Sequence, residues 1–219
     1  MTRTIGKRLK ESGPRILACV CLLVGIAVSQ VEKSRLDPEN ANEARLNRLQ
    51  PPDKVMDIIG LAVGMSIAEI GAGQGRYVVH LADRVGPSGK VWAEDINDDS
   101  LRHLAERCRR GGFDNVETIL GDLTDPKLPP GELDLIFVIS SYHHFSDPVT
   151  LMRNARPALK PAGCLAIAEW IPGKDGSGEG TLPETMTAQM ESAGFILERI
   201  DKSFEDNRLY IYLFRLRPL

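Results

Sequence analysis

The chain has 219 residues, of which 42% are hydrophobic, 26% charged and 5% aromatic, and its formal net charge is −3. This composition predicts one globular domain with or without a short appendage, and it excludes a disordered or repetitive chain. Residues 1–15 carry five basic side chains and one acidic one, so the rest of the chain has a net charge of −7. Such an acidic body gives no electrostatic basis for binding nucleic acid, whose phosphates dominate affinity.

The four cysteines indicate neither a disulfide framework nor a metal or redox site. No two of them form a CxxC pair, which is the usual spacing of such sites. Cys19 and Cys21 lie in an apolar run, while Cys108 and Cys164 lie far apart in periodic segments. We expect the latter two to be small buried hydrophobic residues, and we predict no bound metal.

An uncharged apolar run, ILACVCLLVGIAV, covers residues 16–28 and follows the basic stretch. A run of about 10–14 apolar residues is typical of a signal-peptide core, whereas a spanning helix needs about 20. The sequence therefore predicts a signal peptide or membrane anchor over residues 1–29, with an ordinary amphipathic helix as the alternative. By the positive-inside rule the basic N-terminus stays in the cytoplasm and the rest of the chain crosses the membrane, which predicts an anchored or exported protein.

Residues 30–50 are polar and predict a linker that runs into a short N-terminal helix. Residues 51–219 then form the predicted main domain, which opens with a helix over 54–63 after a Pro-Pro pair. Further helices are predicted at 77–85, 98–110, 149–160 and 184–194. Strands are predicted at 66–70, 90–96, 116–120, 133–140, 164–170, 195–204 and 208–216.

This alternation of strands with helices of about ten residues is typical of βαβ units and a parallel sheet. The last two strands have no helix between them, so they are expected to pair as a hairpin and to add an antiparallel edge. The fold class is therefore α/β, with a doubly wound, mostly parallel sheet.

A glycine-rich turn, EIGAGQG at residues 69–75, follows the first predicted strand. Glycines allow a tight turn close to a ligand, and the next helix offers its N-terminus to an anion. The spacing is GxGxG, with Arg76 where the third glycine of a dinucleotide-binding GxGxxG would fall. The next two strands end with acids, at Glu94-Asp95 and at Asp122. Because ligands bind beyond the carboxyl ends of such strands, these acids are expected near one site.

The chain resembles the class I S-adenosylmethionine-dependent methyltransferases, especially small bacterial members related to the quinone-biosynthesis C-methyltransferases. The resemblance covers about residues 50–216 and is carried, in order, by EIGAGQG, VWAEDIN, GDLTDP, LDLIFVISSYHHFSDP, LKPAGCLAIAEW and ESAGF. It implies a Rossmann-like sheet of seven strands, with the last strand antiparallel and inserted between its neighbours. It also implies S-adenosylmethionine as the cofactor.

The resemblance further implies which residues hold the cofactor. Gly71, Gly73 and Gly75 would pass beneath its methionine portion, and Glu69 would lie near its amino group.

At the other end of the cofactor, Asp95 would hold the ribose hydroxyls and Asp122 would meet the adenine amino group. Glu94 is the alternative to Asp95, because adjacent strand residues point to opposite faces. We also assign Ser140, at the end of the fourth strand, to cofactor binding.

Methyl transfer is an in-line displacement that needs a general base only if the acceptor arrives protonated. His143 and His144 are the candidate bases, because histidine titrates near neutral pH, and Glu169 is a weaker candidate. If the chain stays extended here, Tyr142 and His144 share one face and His143 takes the other. Alternatively, this segment only shapes the pocket.

The glycine-rich stretch at 171–183 is short, so the predicted acceptor is small or lipid-like rather than a folded protein, and the oligomeric state stays open. A nicotinamide-dependent oxidoreductase and a non-catalytic S-adenosylmethionine-binding protein are the alternative functions. Because the implied cofactor is made in the cytoplasm, a tether that keeps the body on the cytoplasmic side is an alternative to export.

Overall fold

The computed structural model describes residues 35–173 and 177–218. The predicted signal peptide or anchor at 1–29 therefore lies outside the described residues. Pro38–Leu219 forms one compact unit. Among the described residues, no helix has both the length and the apolar character needed to cross a bilayer.

Seven strands form one sheet in the order β3-β2-β1-β4-β5-β7-β6. They are β1 (Ser66–Ile70), β2 (Lys90–Asp95), β3 (Val116–Leu120), β4 (Leu133–Ile139), β5 (Leu159–Trp170), β6 (Phe195–Phe204) and β7 (Leu209–Leu216). β7 runs antiparallel to both of its neighbours, and the other pairs are parallel. The predicted α/β class, the seven strands and the inserted last strand are confirmed.

The expected antiparallel edge is confirmed, with β6 as the edge strand and β7 between β5 and β6. Residues 209–216, LYIYLFRL, are largely buried, which suits a strand with neighbours on both sides. Residues 195–204, FILERIDKSF, carry several charges, and charged side chains protect a sheet edge from further pairing.

Within residues 35–173 and 177–218, six α-helices accompany the sheet. They are α1 (Ala41–Leu49), α2 (Pro52–Ile58), α3 (Val78–Val85), α4 (Asp98–Gly111), α5 (Pro148–Ala155) and α6 (Pro183–Ala193). The side chains of Asn40, Asn97 and Asp147 accept hydrogen bonds from backbone amides in the first turns of α1, α4 and α5. These caps fix where each helix begins.

Two predicted helices extend too far. The helix expected over 149–160 ends at Ala155, and the backbone enters β5 at Leu159, which pairs with Leu133. Pro157 explains the end, because proline does not continue a regular helix. The helix expected over 54–63 ends at Ile58, just before Gly60, whose φ is +71°.

The core lies between the sheet and the helices, and β4 supplies its centre. All of β4 except Asp134 is buried, as expected for a parallel strand covered on both faces. Ile136 and Val138 pack with Leu151 of α5 and Met186 of α6 on one face. Parallel pairing places the carboxyl ends of β1, β2, β4 and β5 along one edge, where the candidate site lies.

Candidate active site

The glycine-rich turn after β1 depends on conformations that other residues rarely adopt. Gly71 has a φ of +76°, and a Cβ on it would lie 2.7 Å from the Ser141 Oγ atom. Gly73 has a φ of +53°, and a Cβ there would meet no atom within 4 Å. The turn therefore packs against the end of β4 at Gly71 and presents bare backbone to open space at Gly73.

Two adjoining cavities flank this turn and share Gly71, Ser140 and Ser141 in their walls. The cavity of about 340 Å³, here called the β2/β3 cavity, is lined by residues that include Glu94, Asp95, Ile96, Asp122, Leu123 and His144. The cavity of about 300 Å³, here called the α1 cavity, is lined by residues that include Glu43, Glu69, Gly73, Arg76 and Arg107. All of the predicted cofactor-binding residues except Gly75 line at least one of the two cavities, whereas Gly75 lies against the Leu104 side chain of α4.

Asp95 is held by the glycine-rich turn itself. Its Oδ2 atom accepts a hydrogen bond from the Gly73 amide at 2.8 Å, and its Oδ1 atom accepts one from the Asn97 amide at 2.8 Å. These bonds fix the carboxylate at the wall of the β2/β3 cavity while each oxygen keeps a further lone pair. Asp95 is therefore placed to accept bonds from hydroxyl groups of a ligand.

Glu69 is a buried acid without a full set of partners. It is 3% exposed, and no hydrogen bond reaches its Oε2 atom among the described residues. Burial raises its pKa to about 8 and Asp95 adds to the rise, whereas Arg76 and Arg107 oppose it. An ammonium group in the α1 cavity would supply the missing partner, so the residues present fit the amino acid portion of S-adenosylmethionine.

Asp122 lies at the outer rim of the β2/β3 cavity. Its side chain is 67% exposed and pairs with Lys127 at 2.9 Å. Two apolar side chains that the sequence reasoning missed, Ile96 and Leu123, line the same cavity and are 54% and 61% exposed. Each follows directly after a strand-end acid, which is the signal that would have found them. An aromatic base in this cavity would cover apolar surface that is otherwise exposed.

Ser140 directly follows β4 and has a left-handed conformation with a φ of +53°. Its amide donates to the Ala168 carbonyl at 2.9 Å, and its Oγ atom accepts a hydrogen bond from Gln50 Nε2 at 2.6 Å. Because its Oγ atom accepts from Gln50, the Ser140 hydroxyl keeps its own proton for a ligand in either cavity.

Residues Tyr142–His144 form a short 3-10 helix, so the expectation of an extended chain is wrong here. Instead of taking opposite faces, the rings of His143 and His144 lie side by side, with centroids 4.0 Å apart. The tight turn follows from the hydrogen bond between the His144 amide and the Ser141 carbonyl. His144 lines the β2/β3 cavity and is exposed.

His143 forms a dyad with Glu169, at the end of β5. The Glu169 carboxyl group is fully buried and lies 2.9 Å from His143 Nδ1, and it accepts hydrogen bonds from the amides of His143 and Trp170 at 3.1 and 2.7 Å. Burial raises the pKa of Glu169, and His143 opposes that rise. No hydrogen bond from the described residues reaches the buried Nε2 atom of His143, which lies 3.6 Å from the Glu179 Oε2 atom. An ionised Glu169 would accept a hydrogen bond from His143 Nδ1 and so fix the orientation of the imidazole ring.

Helix α1 forms part of the wall of the α1 cavity, which the sequence alone did not indicate. Glu43 of α1 forms a buried ion pair with Arg107 of α4 at 2.6 Å. Arg76 donates to the side chains of Asn47 at 3.2 Å and Gln50 at 2.8 Å. Both arginines line the α1 cavity, where they could hold a carboxylate. Nothing in the local sequence indicates these contacts, because the partners lie 26 to 64 residues apart.

Residues 67–163 match the family described as "Methyltransferase domain". The chain is 31% identical over 120 residues to nocamycin O-methyltransferase of Saccharothrix syringae, a match that covers 54% of this chain and 42% of that protein. It is 26% identical over 116 residues to a demethylmenaquinone methyltransferase of Lactococcus lactis, covering 53% of this chain and 46% of that protein. The match thus spans less than half the length of these curated relatives.

A solved structure of a SAM-dependent methyltransferase from Aquifex aeolicus has a TM-score of 0.69 and 26% identity, covering 85% of this chain and 96% of that one. The family and the fold imply S-adenosylmethionine as the cofactor, and they favour methyl transfer over a nicotinamide-dependent reaction. Residues 67–163 therefore match a methyltransferase domain, and the chain has the fold of the S-adenosylmethionine-dependent methyltransferase from Aquifex aeolicus.

Proposed function

We propose that the protein transfers a methyl group from S-adenosylmethionine to a small, lipid-like acceptor that carries an acidic hydroxyl group or carbon. The observation that supports this most is the pair of acids beside the glycine-rich turn. Glu69 has a buried oxygen without a partner in the α1 cavity, and Asp95 is fixed in the β2/β3 cavity. The two adjoining cavities thus offer an ammonium site and a hydroxyl site on either side of Gly71.

The chemistry that S-adenosylmethionine supplies when bound is an activated methyl group, open to in-line displacement by a nucleophile. The chain's own residues then have three tasks. Glu69 and Asp95 bind and orient the cofactor. Ser140 orients the part of the cofactor that lies where the two cavities meet, and helix α1, which covers the α1 cavity, excludes water. None of these tasks requires a covalent intermediate on the protein.

We propose that His143 removes the acceptor's proton. Its Nε2 atom takes the proton as the nucleophile forms, and its Nδ1–H remains hydrogen-bonded to the Glu169 carboxylate. Because Glu169 is fully buried and receives two backbone amides as well, it holds the imidazole in one orientation. His144 shares the same short helix and lies in the wall of the β2/β3 cavity, so its proposed role is in shaping the site.

The lipid-like nature of the acceptor is supported by the relatives and by the N-terminal sequence. A demethylmenaquinone methyltransferase is among the matching proteins, and an uncharged run of thirteen residues precedes the domain at 16–28. A membrane-associated enzyme would meet an acceptor that partitions into the bilayer.

The test uses full-length protein, S-adenosylmethionine and a set of phenols and hydroquinones with graded hydroxyl pKa values. With a weakly acidic acceptor, His143→Asn is expected to lower kcat by about 10²- to 10⁴-fold, and Glu169→Gln is expected to lower it by a smaller factor. Both losses should shrink for acceptors that are already ionised at the assay pH. S-adenosylhomocysteine should bind both variants as tightly as the wild type.

His103→Asn is the matched control, because this exposed histidine lies on α4 and pairs with Glu39. It should retain wild-type kcat. Equal activity of His143→Asn and the wild type with every acceptor would remove the proposed base. Tight cofactor binding without product from any acceptor in the set would favour a non-catalytic S-adenosylmethionine-binding protein.

A further inference from the structure

A second buried acid, Glu94, lies in the wall of the β2/β3 cavity and has no part in the proposed reaction. It is 2% exposed and sits at the penultimate position of β2, beside Asp95. A Cβ on Gly121 would collide with its Oε1 atom, so the carboxyl group lies directly against the backbone that leads to Asp122. Only a glycine at position 121 leaves room for this carboxyl group.

The surroundings of Glu94 are acidic. The neighbouring carboxylate of Asp95 and the burial of the side chain both disfavour ionisation, and Asp125 acts in the same direction. Lys127 and the backbone amide of Gly71 oppose these effects, but Lys127 is already paired with Asp122. Burial, followed by Asp95, raises the pKa of Glu94 to about 8.

His144 is the remaining titratable group in the wall of this cavity. Within the described part of the chain, no side chain donates a hydrogen bond to the Glu94 carboxyl group. Burial and the lack of a side-chain donor favour the neutral form of this carboxyl group, which carries one donor and one acceptor. Asp95 and Asp122, in contrast, offer acceptors alone when ionised.

An adjacent donor and acceptor is the pattern that complements an adenine edge, where an exocyclic amino group lies next to a ring nitrogen. We propose that the protonated Glu94 carboxyl group recognises the adenine base, donating to a ring nitrogen and accepting from the amino group. This inference rests on the proposed use of S-adenosylmethionine. It makes Glu94 a specificity residue for the base, distinct from Asp95 at the ribose.

The experiment measures the dissociation constant of 5′-methylthioadenosine by calorimetry at pH 6.5 and pH 9. This ligand keeps the adenine and the ribose but lacks the ammonium group that Glu69 would bind, so Glu69 does not contribute. The wild type is expected to bind about tenfold more weakly at pH 9, because ionised Glu94 loses its donor. Glu94→Gln keeps a donor and an acceptor, so it should match the pH 6.5 affinity of the wild type at both pH values.

Glu94→Met fills the same volume without a hydrogen bond and should bind about tenfold more weakly at both pH values. The comparison is repeated with analogues of 5′-methylthioadenosine in which one ring nitrogen of the adenine is replaced by C–H. For the analogue that lacks the nitrogen bound by Glu94, Glu94→Met and the wild type should bind equally tightly. If Glu94→Met lost the same affinity for every such analogue, Glu94 would lie at the ribose and the inference would be overturned. Wild-type affinity of Glu94→Met for 5′-methylthioadenosine would also overturn it. Failure of the wild type to bind either this ligand or S-adenosylhomocysteine would instead overturn the proposed function itself.

Discussion

Glu69 and Glu94 are two buried acids whose pKa values are both raised to about 8, yet the proposed ligand makes opposite demands on them. Glu69 faces the α1 cavity, where a ligand ammonium group favours the ionised form. Glu94 faces the β2/β3 cavity, where the base favours the protonated form. Each acid was visible in the sequence, but their burial could not be read from it, because it depends on helices and loops that fold over the sheet edge.

Ionisation of Glu69 should make cofactor binding depend on pH. Below pH 8 the acid is protonated in the free protein, so binding an ammonium group must release a proton. The affinity for S-adenosylhomocysteine is therefore expected to rise from pH 6 to pH 8, by up to about tenfold per pH unit. Calorimetry in buffers of different ionisation enthalpy would count the released proton.

Glu69→Gln should abolish this rise and weaken binding by at least about 30-fold, because it removes one partner of a buried charge pair. 5′-Methylthioadenosine, which lacks the ammonium group, is the matched ligand and should show no rise between pH 6 and pH 8. A rise of the same size with this ligand would show that Glu69 is not the responsible group.

At the scale of elements, the sequence pattern predicted the strands and helices, but it did not predict the long-range contacts between them. Alternating apolar segments with glycine and proline boundaries placed all seven strands and most helices. The position of β7 inside the sheet came from the family resemblance, since a closing hairpin in either order satisfies the same pattern. The covering role of α1 depends on pairs such as Glu43–Arg107, which are separated by 64 residues.

α1 is held to α4 by this pair, whose side chains are 7% and 5% exposed. Glu43→Gln would leave Arg107 buried without its counter-charge, so it is expected to lower the free energy of unfolding by about 3 kcal/mol. Urea denaturation at pH 7 would measure the loss. The loss should become smaller when S-adenosylhomocysteine is present, if the ligand carboxylate pairs with Arg107.

Glu117→Gln is the control for this substitution, because Glu117 forms an exposed ion pair with Lys90. It should change the free energy of unfolding by less than about 0.5 kcal/mol. Equal effects of the two substitutions would contradict the view that the Glu43–Arg107 pair fastens α1.

For the whole molecule, the uneven charge and the apolar run at 16–28 predict an association with membranes. Leu23→Arg, which places a charge in the middle of that run, is expected to move the full-length protein from the membrane fraction to the supernatant. Leu123→Arg adds the same charge outside the run and is the matched control. An unchanged distribution of Leu23→Arg would contradict the predicted signal or anchor.

Protease protection of the same membranes would show on which side the body lies. The positive-inside rule places it outside the cytoplasm, while the source of S-adenosylmethionine favours the cytoplasmic side. Digestion by protease added from outside the cell would support export, and full protection would support a cytoplasm-facing tether.

The central claim is that the two cavities beside Gly71 together form a site for S-adenosylmethionine. Calorimetric titration of the full-length protein with S-adenosylhomocysteine and, separately, with NAD tests it most directly. The expected result is one S-adenosylhomocysteine bound per chain, no detectable heat of binding for NAD, and loss of the signal in Asp95→Ala. Binding of NAD in preference to S-adenosylhomocysteine, or full S-adenosylhomocysteine binding by Asp95→Ala, would contradict the account.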